Sequence, residues 1–266
     1  MPQPSQSTAR LRRTVVILSI IALFLLPVAA QAALYAMSGG PRSWRDADWS
    51  SIGSLPPARA HPEARVLVLS GRTGGWKGIV SVHSWIVMKP KNAPAWTRHD
   101  VVGWGNPMRL NGWAPDGRWY GNKPIVVADL SGEDAERLIP RLAAAIRGYQ
   151  YRDAGDYRIW PGPNSNTFVA TVLRAVPELG AILPPNAIGR DFCPAPFVGA
   201  SDSGTGFEAN LWGVLGVKLG WVEGVEVNLL GLVAGVDVRR PALKLPGFGR
   251  IRIDGLSPAP AVAGGP

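Results

Sequence analysis

An apolar run from Thr14 to Leu26 directly follows Arg10, Arg12 and Arg13. In lipid such a segment must satisfy its backbone polar groups internally, which only a helix does within a single segment. Pro27 and the small residues Val28 to Ala33 come next. Basic flank, apolar run and small-residue site together have the layout of an export signal, with Ala30-Gln31-Ala32 the best cleavage match. If it is not cleaved, Thr14 to Tyr35 is long enough to cross a bilayer as one helix. The arginines then stay on the cytoplasmic side. The expected location is a bacterial inner membrane, single pass with the domain in the periplasm, or export if the signal is cleaved. The expected division is a signal or anchor over 1–35, a Gly-, Ser- and Pro-rich linker over 36–62 and an α+β core over 63–200. A Gly-rich β extension over 201–255 and a Pro/Ala/Gly tail over 256–266 complete it.

Composition narrows the functional classes. The chain is 46% hydrophobic and 18% charged, so most of it is expected to be globular. The 32 glycines and 25 prolines favour turns and strands over long helices. Net charge is +9, yet Arg and Lys are scattered, with no basic stripe interleaved with aromatics and no zinc-ligand spacing. Nucleic acid is therefore not an expected partner. Cys193 is the only cysteine, which excludes an intramolecular disulfide and a cysteine-based metal cluster. His61, His83 and His99 are too few to point to a metal site, and no cofactor is expected.

Along the chain, Ala64 to Ser70 reads as a strand, 71–78 as a turn and Ile79 to Met88 as a second strand. Alternation puts Val80, Val82, Ser84, Ile86 and Met88 on one face, and Ser81, His83, Trp85 and Val87 on the other. A hairpin turn over 89–93 leads to a third strand, Trp96 to Trp104, which contains His99 and Asp100. A loop with a turn at Pro115-Asp116-Gly117 precedes a fourth strand, Pro124 to Leu130. Ser131 then caps a helix with Glu133 and Asp134 in its first turn. Ala135, Leu138, Ile139, Leu142, Ala143 and Ile146 follow helical spacing, Pro140 interrupts the pattern and Gly148 ends it. Residues 207–240 are too rich in glycine for a helix and read as two or three strands, with turns at Gly220 and Gly224. They form an ordinary extension of the sheet, a layer over the core or a patch lying on the membrane. No strict internal repeat is evident.

The stretch Trp160-Pro161-Gly162-Pro163-Asn164-Ser165-Asn166-Thr167-Phe168 concentrates the chemistry. Its prolines stiffen the approach to a short helix read over Thr167 to Val176 and closed by Pro177. Asn164, Ser165, Asn166 and Thr167 are all good N-cap types. Ser165 therefore sits at or near a helix N-terminus, where free N–H groups and the dipole favour negative charge. A hydroxyl needs a base, and His83 is the strand histidine that can supply one, with His99 or Asp100 to orient its ring. Asn164 and Asn166 flank Ser165 and could donate to an oxyanion.

His-Ser-Trp-Ile (83–86), Val-Val-Gly-Trp-Gly (101–105), the 160–168 stretch and Leu-Pro-Pro-Asn-Ala-Ile-Gly (183–189) together resemble the domain of unknown function 3750 family, from about Val66 to Gly249. More widely, the order of motifs is similar to circularly permuted papain-like folds, the NlpC-type peptidases and lecithin-retinol-acyltransferase-like proteins. That resemblance implies an antiparallel sheet with a few helices, His83 as base, His99 or Asp100 as orienting residue, Ser165 as nucleophile and Phe168 in the helix core. Serine stands where those families carry cysteine, and Cys193 lies outside the motif.

Two readings follow. One is an envelope hydrolase or acyltransferase acting on amide or ester bonds through Ser165 and His83, with cell-envelope peptide, glycan or lipid as substrate. The other is a catalytically inactive papain-like module that binds envelope polymer, lipid or protein, with Trp85, Trp104, Trp119 and Trp160 lining its groove.

Overall fold

The computed structural model describes residues 6–39 and 43–253; the tail expected over 256–266 lies outside the described residues. Helix α1 (Gln6–Met37) contains the apolar run, and Arg10–Met37 is long and apolar enough to span a membrane or act as a signal. Most of its side chains are exposed, but Phe24, Val28, Gln31 and Tyr35 form a stripe at helical spacing that is buried or half-buried. That stripe faces the rest of the protein.

The next segment lies against the domain. Trp49 packs edge-on against Trp119 and Tyr120, with ring centroids 5.0 and 4.9 Å apart. Five antiparallel strands follow, β1 (Arg65–Arg72), β2 (Val82–Lys89), β3 (Thr97–Val101), β4 (Met108–Leu110) and β5 (Ile125–Ser131), in the order β4-β3-β2-β1-β5. Two expectations need correcting here. Gly75–Ile79 is a short 3-10 helix, so β2 begins at Val82 rather than Ile79. The third strand ends at Val101, and Met108–Leu110 turns back as β4.

Helices α2 (Gly132–Arg147) and α3 (Ser165–Ala175) cover one face of this sheet. Ala135, Leu138, Leu142 and Ile146 of α2 meet Phe168, Val169, Val172 and Leu173 of α3 and Val66, Val68, Ile86 and Met88 of the sheet in one apolar core. Ser131 occupies the N-cap position of α2 without a side-chain cap bond, and Pro140 is accommodated within the helix. The opposite face carries a second cluster of Leu67, Leu69, Trp85, Val87, Val102 and Trp119.

The Gly-rich part holds more strands than its sequence suggests. β6 (Phe197–Ala200), β7 (Gly206–Leu211), β8 (Leu215–Gly220), β9 (Gly224–Leu229), β10 (Leu232–Asp237), β11 (Ala242–Leu245) and β12 (Gly249–Arg252) form one antiparallel sheet in sequence order. Its hairpins also expose a repeat hidden by the surrounding glycines: Gly-x-Glu-x-Asn-Leu-x-Gly occurs at 206–213 and again at 224–231. In each copy the asparagine Oδ1 accepts from the N–H of the last glycine, Asn210 from Gly213 and Asn228 from Gly231, both at 2.8 Å. Those turns place Trp212, Gly213, Leu230 and Gly231 at positive φ, a backbone that suits glycine and tightens the hairpin.

The sheet alternates polar-in and apolar-out. Inward, Glu208 pairs with Lys218 and Lys218 with Glu226 across adjacent strands. Gly235 of β10 stands between Glu226 and Lys244 in register, so Lys244 Nζ reaches Glu226 Oε1 at 2.5 Å across the missing side chain. Lys218 also binds Asp191 at 2.7 Å and Asp202, and Arg190 binds Glu226. All these charges are paired, as burial requires. Burial works against the Lys218 ammonium, but Asp191 and Asp202 overcome it and raise its pKa. Outward, the register aligns Phe207, Leu219, Val225, Val236 and Leu243 in one apolar row. Ala209, Val217, Val227 and Ala234 form a second row, and Leu211, Leu215, Leu229 and Leu232 a third.

Candidate functional site

His83 on β2 lies in register with Gly71 on β1. A Cβ at Gly71 would stand 2.8 Å from Cβ of Trp119, so the missing side chain makes room for that tryptophan. The Trp119 ring stacks flat on His83, centroids 3.6 Å apart at an interplanar angle of 6°. His83 Nε2 lies 2.8 Å from Asp100 Oδ1. Asp100 is fully buried and takes two further bonds from Arg98, Nε to Oδ2 at 2.8 Å and Nη2 to Oδ1 at 2.9 Å. Arg98 Nη1 donates to the Ala114 carbonyl at 2.8 Å, and its guanidinium sits 4.0 Å from the Trp85 ring centroid. Arg98 and Asp100 are two residues apart on a strand and so share a face. The pairing of Val87 with Arg98 makes that the face of His83.

Charge follows from this packing. Burial opposes ionisation of Asp100, but Arg98 and His83 outweigh it and hold the carboxyl below its ordinary 3.8. Burial pushes His83 below its ordinary 6.5, against the pull of Asp100. The ring is therefore neutral at pH 7. An ionised Asp100 only accepts, so the ring proton belongs on Nε2 and Nδ1 presents a lone pair. That Nδ1 has no hydrogen-bond partner among the described residues and is not sealed from the neighbouring cavity.

Ser165 is the first residue of α3, so the helix begins two residues earlier than the sequence pattern suggests. Its cap is Asn164, whose Oδ1 accepts from the N–H of Asn166 at 2.9 Å and of Thr167 at 3.2 Å, while Thr167 Oγ1 accepts from the Asn164 N–H at 3.0 Å. This capping box uses three of the N–H groups a helix start leaves open. The Ser165 N–H is left over, and Tyr157 lines the same cavity as Ser165. Burial raises the Tyr157 pKa, and the Ser165 contacts oppose that shift.

A cavity of about 320 Å³ joins these groups. His83, Trp119, Tyr157, Asn164, Ser165 and Asn166 line it, together with Trp104, Trp160, Ile188 and Leu230. No direct hydrogen bond joins Ser165 to His83 among the described residues.

Several site expectations change. Asp100, not His99, reaches His83. His99 points to the other face of β3, in register with Ile86 and Leu110, because alternation forbids adjacent strand residues from sharing a face. Trp85 is fully buried behind Arg98, with its Nε1–H on the Pro115 carbonyl at 2.9 Å, and does not line the cavity. Asn164 and Asn166 have no side-chain donor to spare. Asn164 Nδ2 binds the carbonyls of Ile159 and Ile188, and Asn166 Nδ2 those of Val82 and Ile188, which uses both hydrogens of each amide. Arg98 and Tyr157 escaped the sequence reading. The Arg-x-Asp spacing on a strand was the available signal for Arg98; for Tyr157 there was none, because a loop carries no periodicity. Cys193 is half-buried and lies outside the cavity lining.

Fold and site together define an α+β protein in which a buried His–Asp–Arg chain stands across a cavity from a serine at a helix start. The family model for the protein of unknown function DUF3750 matches residues 63–192, so over that stretch the chain is similar to this family. The match includes His83, Asp100 and Ser165 and ends before the seven-stranded sheet. No curated protein and no solved structure matches the chain, so the wider likeness to papain-like folds gains no support from these comparisons.

Proposed function

We propose that the cavity is a site for acyl transfer or hydrolysis of an amide or ester, with Ser165 as nucleophile, His83 as base and Asp100 as its orienting group. The observation that carries this reading is the neutral His83 ring, held at Nε2 by Asp100, with Nδ1 left to the cavity that Ser165 lines. In the reaction Ser165 Oγ attacks the acyl carbon as Nδ1 takes its proton, and Asp100 offsets the imidazolium charge; Nδ1 then gives that proton to the departing amine or alcohol as the C–N or C–O bond breaks, and water or an acceptor hydroxyl takes the acyl group from Ser165. Serine is not ionised at neutral pH, so proton removal accompanies attack. The Ser165 N–H at the helix start and the Tyr157 hydroxyl in the same cavity lining would face the oxyanion. Substrate must bring Ser165 and His83 into hydrogen-bond contact, since catalytic contacts often tighten only in the complex. The mainly apolar wall suits an acyl chain or the apolar part of an envelope peptide or glycan. With α1 retained and Arg10, Arg12 and Arg13 on the cytoplasmic side, the cavity faces the periplasm of a bacterial cell.

A second reading, an inactive module that binds envelope polymer, lipid or protein, is favoured by the missing Ser165–His83 bond and the fully used amides of Asn164 and Asn166. Trp104 and Trp160 would then serve as half-exposed stacking walls. A fluorophosphonate probe on wild type, Ser165→Ala and His83→Ala separates the two. Labelling that needs both residues supports the enzyme. Absence of Ser165-dependent labelling, alongside a control serine hydrolase that labels fully, leaves the binding module.

A further inference from the structure

We infer that the outer apolar face of the seven-stranded sheet lies on the hydrocarbon of a lipid bilayer, as a second membrane contact beside α1. The inference does not rest on the reading of Ser165 as a nucleophile. An antiparallel sheet with one free face normally turns its polar side chains to water. Here Glu208, Lys218, Glu226 and Lys244 are turned inward and buried, while Phe207, Val217 and Val227 are turned outward and exposed. No charged side chain stands in the three outward rows across β7 to β10. Placing charges inside and valines outside is costly in water and favourable where the outside is oil.

The position of α1 indicates the occupant. Among the strands of the sheet, α1 makes its main contact with β10. Ala234 of β10 belongs to an outward row yet is only 2% exposed, unlike its register partner Val227 at 40%. The spanning helix thus rests on the same strand where the outward face becomes covered. Its buried stripe begins at Phe24, near the end of the Thr14–Leu26 run and midway along Thr14–Tyr35, and continues to Tyr35, about 17 Å along the helix axis at 1.5 Å per residue. A bilayer that receives α1 therefore extends alongside the sheet, and the lipid around Leu23, Leu25 and Leu26 of α1 continues over the sheet rows. These leucines are 50–67% exposed, as lipid-facing side chains are. Lying flat also keeps the open backbone edges of β6 and β12 out of the hydrocarbon centre, where an unpaired edge is not tolerated. Trp212 and Trp221, half-exposed or more at hairpin ends, suit the headgroup boundary.

The test uses the full chain in vesicles of phosphatidylcholine and phosphatidylglycerol, with Cys193→Ser as background. An environment-sensitive nitrobenzoxadiazole dye is attached at V217C or V227C, at L25C as a lipid-facing reference and at R137C on α2 as a water-facing reference. Near-UV circular dichroism matching the unlabelled chain confirms that each variant is folded. Doxyl-labelled lipid should quench the dye at 217 and 227 about as strongly as at 25, and aqueous iodide should quench it several-fold less than at 137. Iodide quenching equal to that at 137 overturns the inference, because the face is then open to water. Protection from iodide without quenching by doxyl lipid also overturns it, because a second protein copy then covers the face.

Discussion

In the five-stranded sheet, Val66, Val68, Ile86 and Met88 point into an apolar core beneath α2 and α3. In the seven-stranded sheet, Glu208, Lys218, Glu226 and Lys244 take the inward positions, and Phe207, Val217 and Val227 point out. Both obey the same two-residue alternation. What differs is what each sheet packs against. The first meets helices that supply leucine and phenylalanine; the second meets the 183–203 segment, which supplies Arg190, Asp191 and Asp202. An ionic inner layer is held by geometry and partner count rather than by area removed from water. A single broken pair should therefore cost as much as a large cavity does in the apolar core.

Lys218→Met tests that equivalence most severely. It leaves Asp191, Asp202 and Glu208 buried without their shared cation and should cost about 3–5 kcal/mol in urea denaturation of the detergent-solubilised protein. A loss below about 1 kcal/mol means that the ionic layer does not hold the second sheet, and the comparison fails.

Val68→Thr puts a hydroxyl into the first sheet's core and should destabilise by about 1–3 kcal/mol in the same assay. Asn164→Ala removes the cap of α3 and two amide bonds; the cap alone is worth about 1 kcal/mol. Because Ser165 depends on that cap for its place, Asn164→Ala should also reduce any Ser165-dependent probe labelling, whereas Val68→Thr should leave it near wild type.

Acidification separates the sheets by group. His83 has a folded pKa depressed below 6.5, so the unfolded chain binds its proton first. Stability is then complete above 6.5 and falls as pH drops below it. His99 is shifted the same way by burial, so the His83→Gln difference, read from denaturation midpoints between pH 7 and 5, isolates the His83 share. Asp100, also depressed, adds its loss only below its ordinary 3.8. In the second sheet the depressed Asp191 and Asp202 likewise lose their contribution only in strong acid. The first losses on acidification should therefore come from the His83 side. Val227→Thr gives the smallest effect. The exchange that is costly at Val68 should change stability by no more than about 0.5 kcal/mol at Val227 in the same assay, while weakening vesicle attachment in a flotation assay. A cost at Val227 as large as at Val68 would falsify the outward assignment.

Much of the first sheet was legible because its signals are local. The period of α2, the proline-stiffened start of α3 and the face shared by His83, Trp85 and Val87 can be read within a few residues. The choice between His99 and Asp100 could not be made on the same grounds, because both precede the register that decides which one meets His83. The fate of the Asn164 and Asn166 amides depends on carbonyls of Ile188 and Val82, far away in sequence. In the second sheet, glycine spacing concealed the Gly-x-Glu-x-Asn-Leu-x-Gly repeat until the turns aligned it.

The amino-acid sequence by itself determined an apolar N-terminal helix, an α+β chain and a helix start within the Asn164–Thr167 run, since each follows from residue type and spacing over a turn or two. It also determined that strands β7 to β9 have one polar and one apolar face. Only the tertiary structure decided which face lies inside, because alternation distinguishes two sides without naming the inner one. That choice belongs to Arg190, Asp191 and Asp202, whose charges draw the polar side inward and leave the valines to the outside.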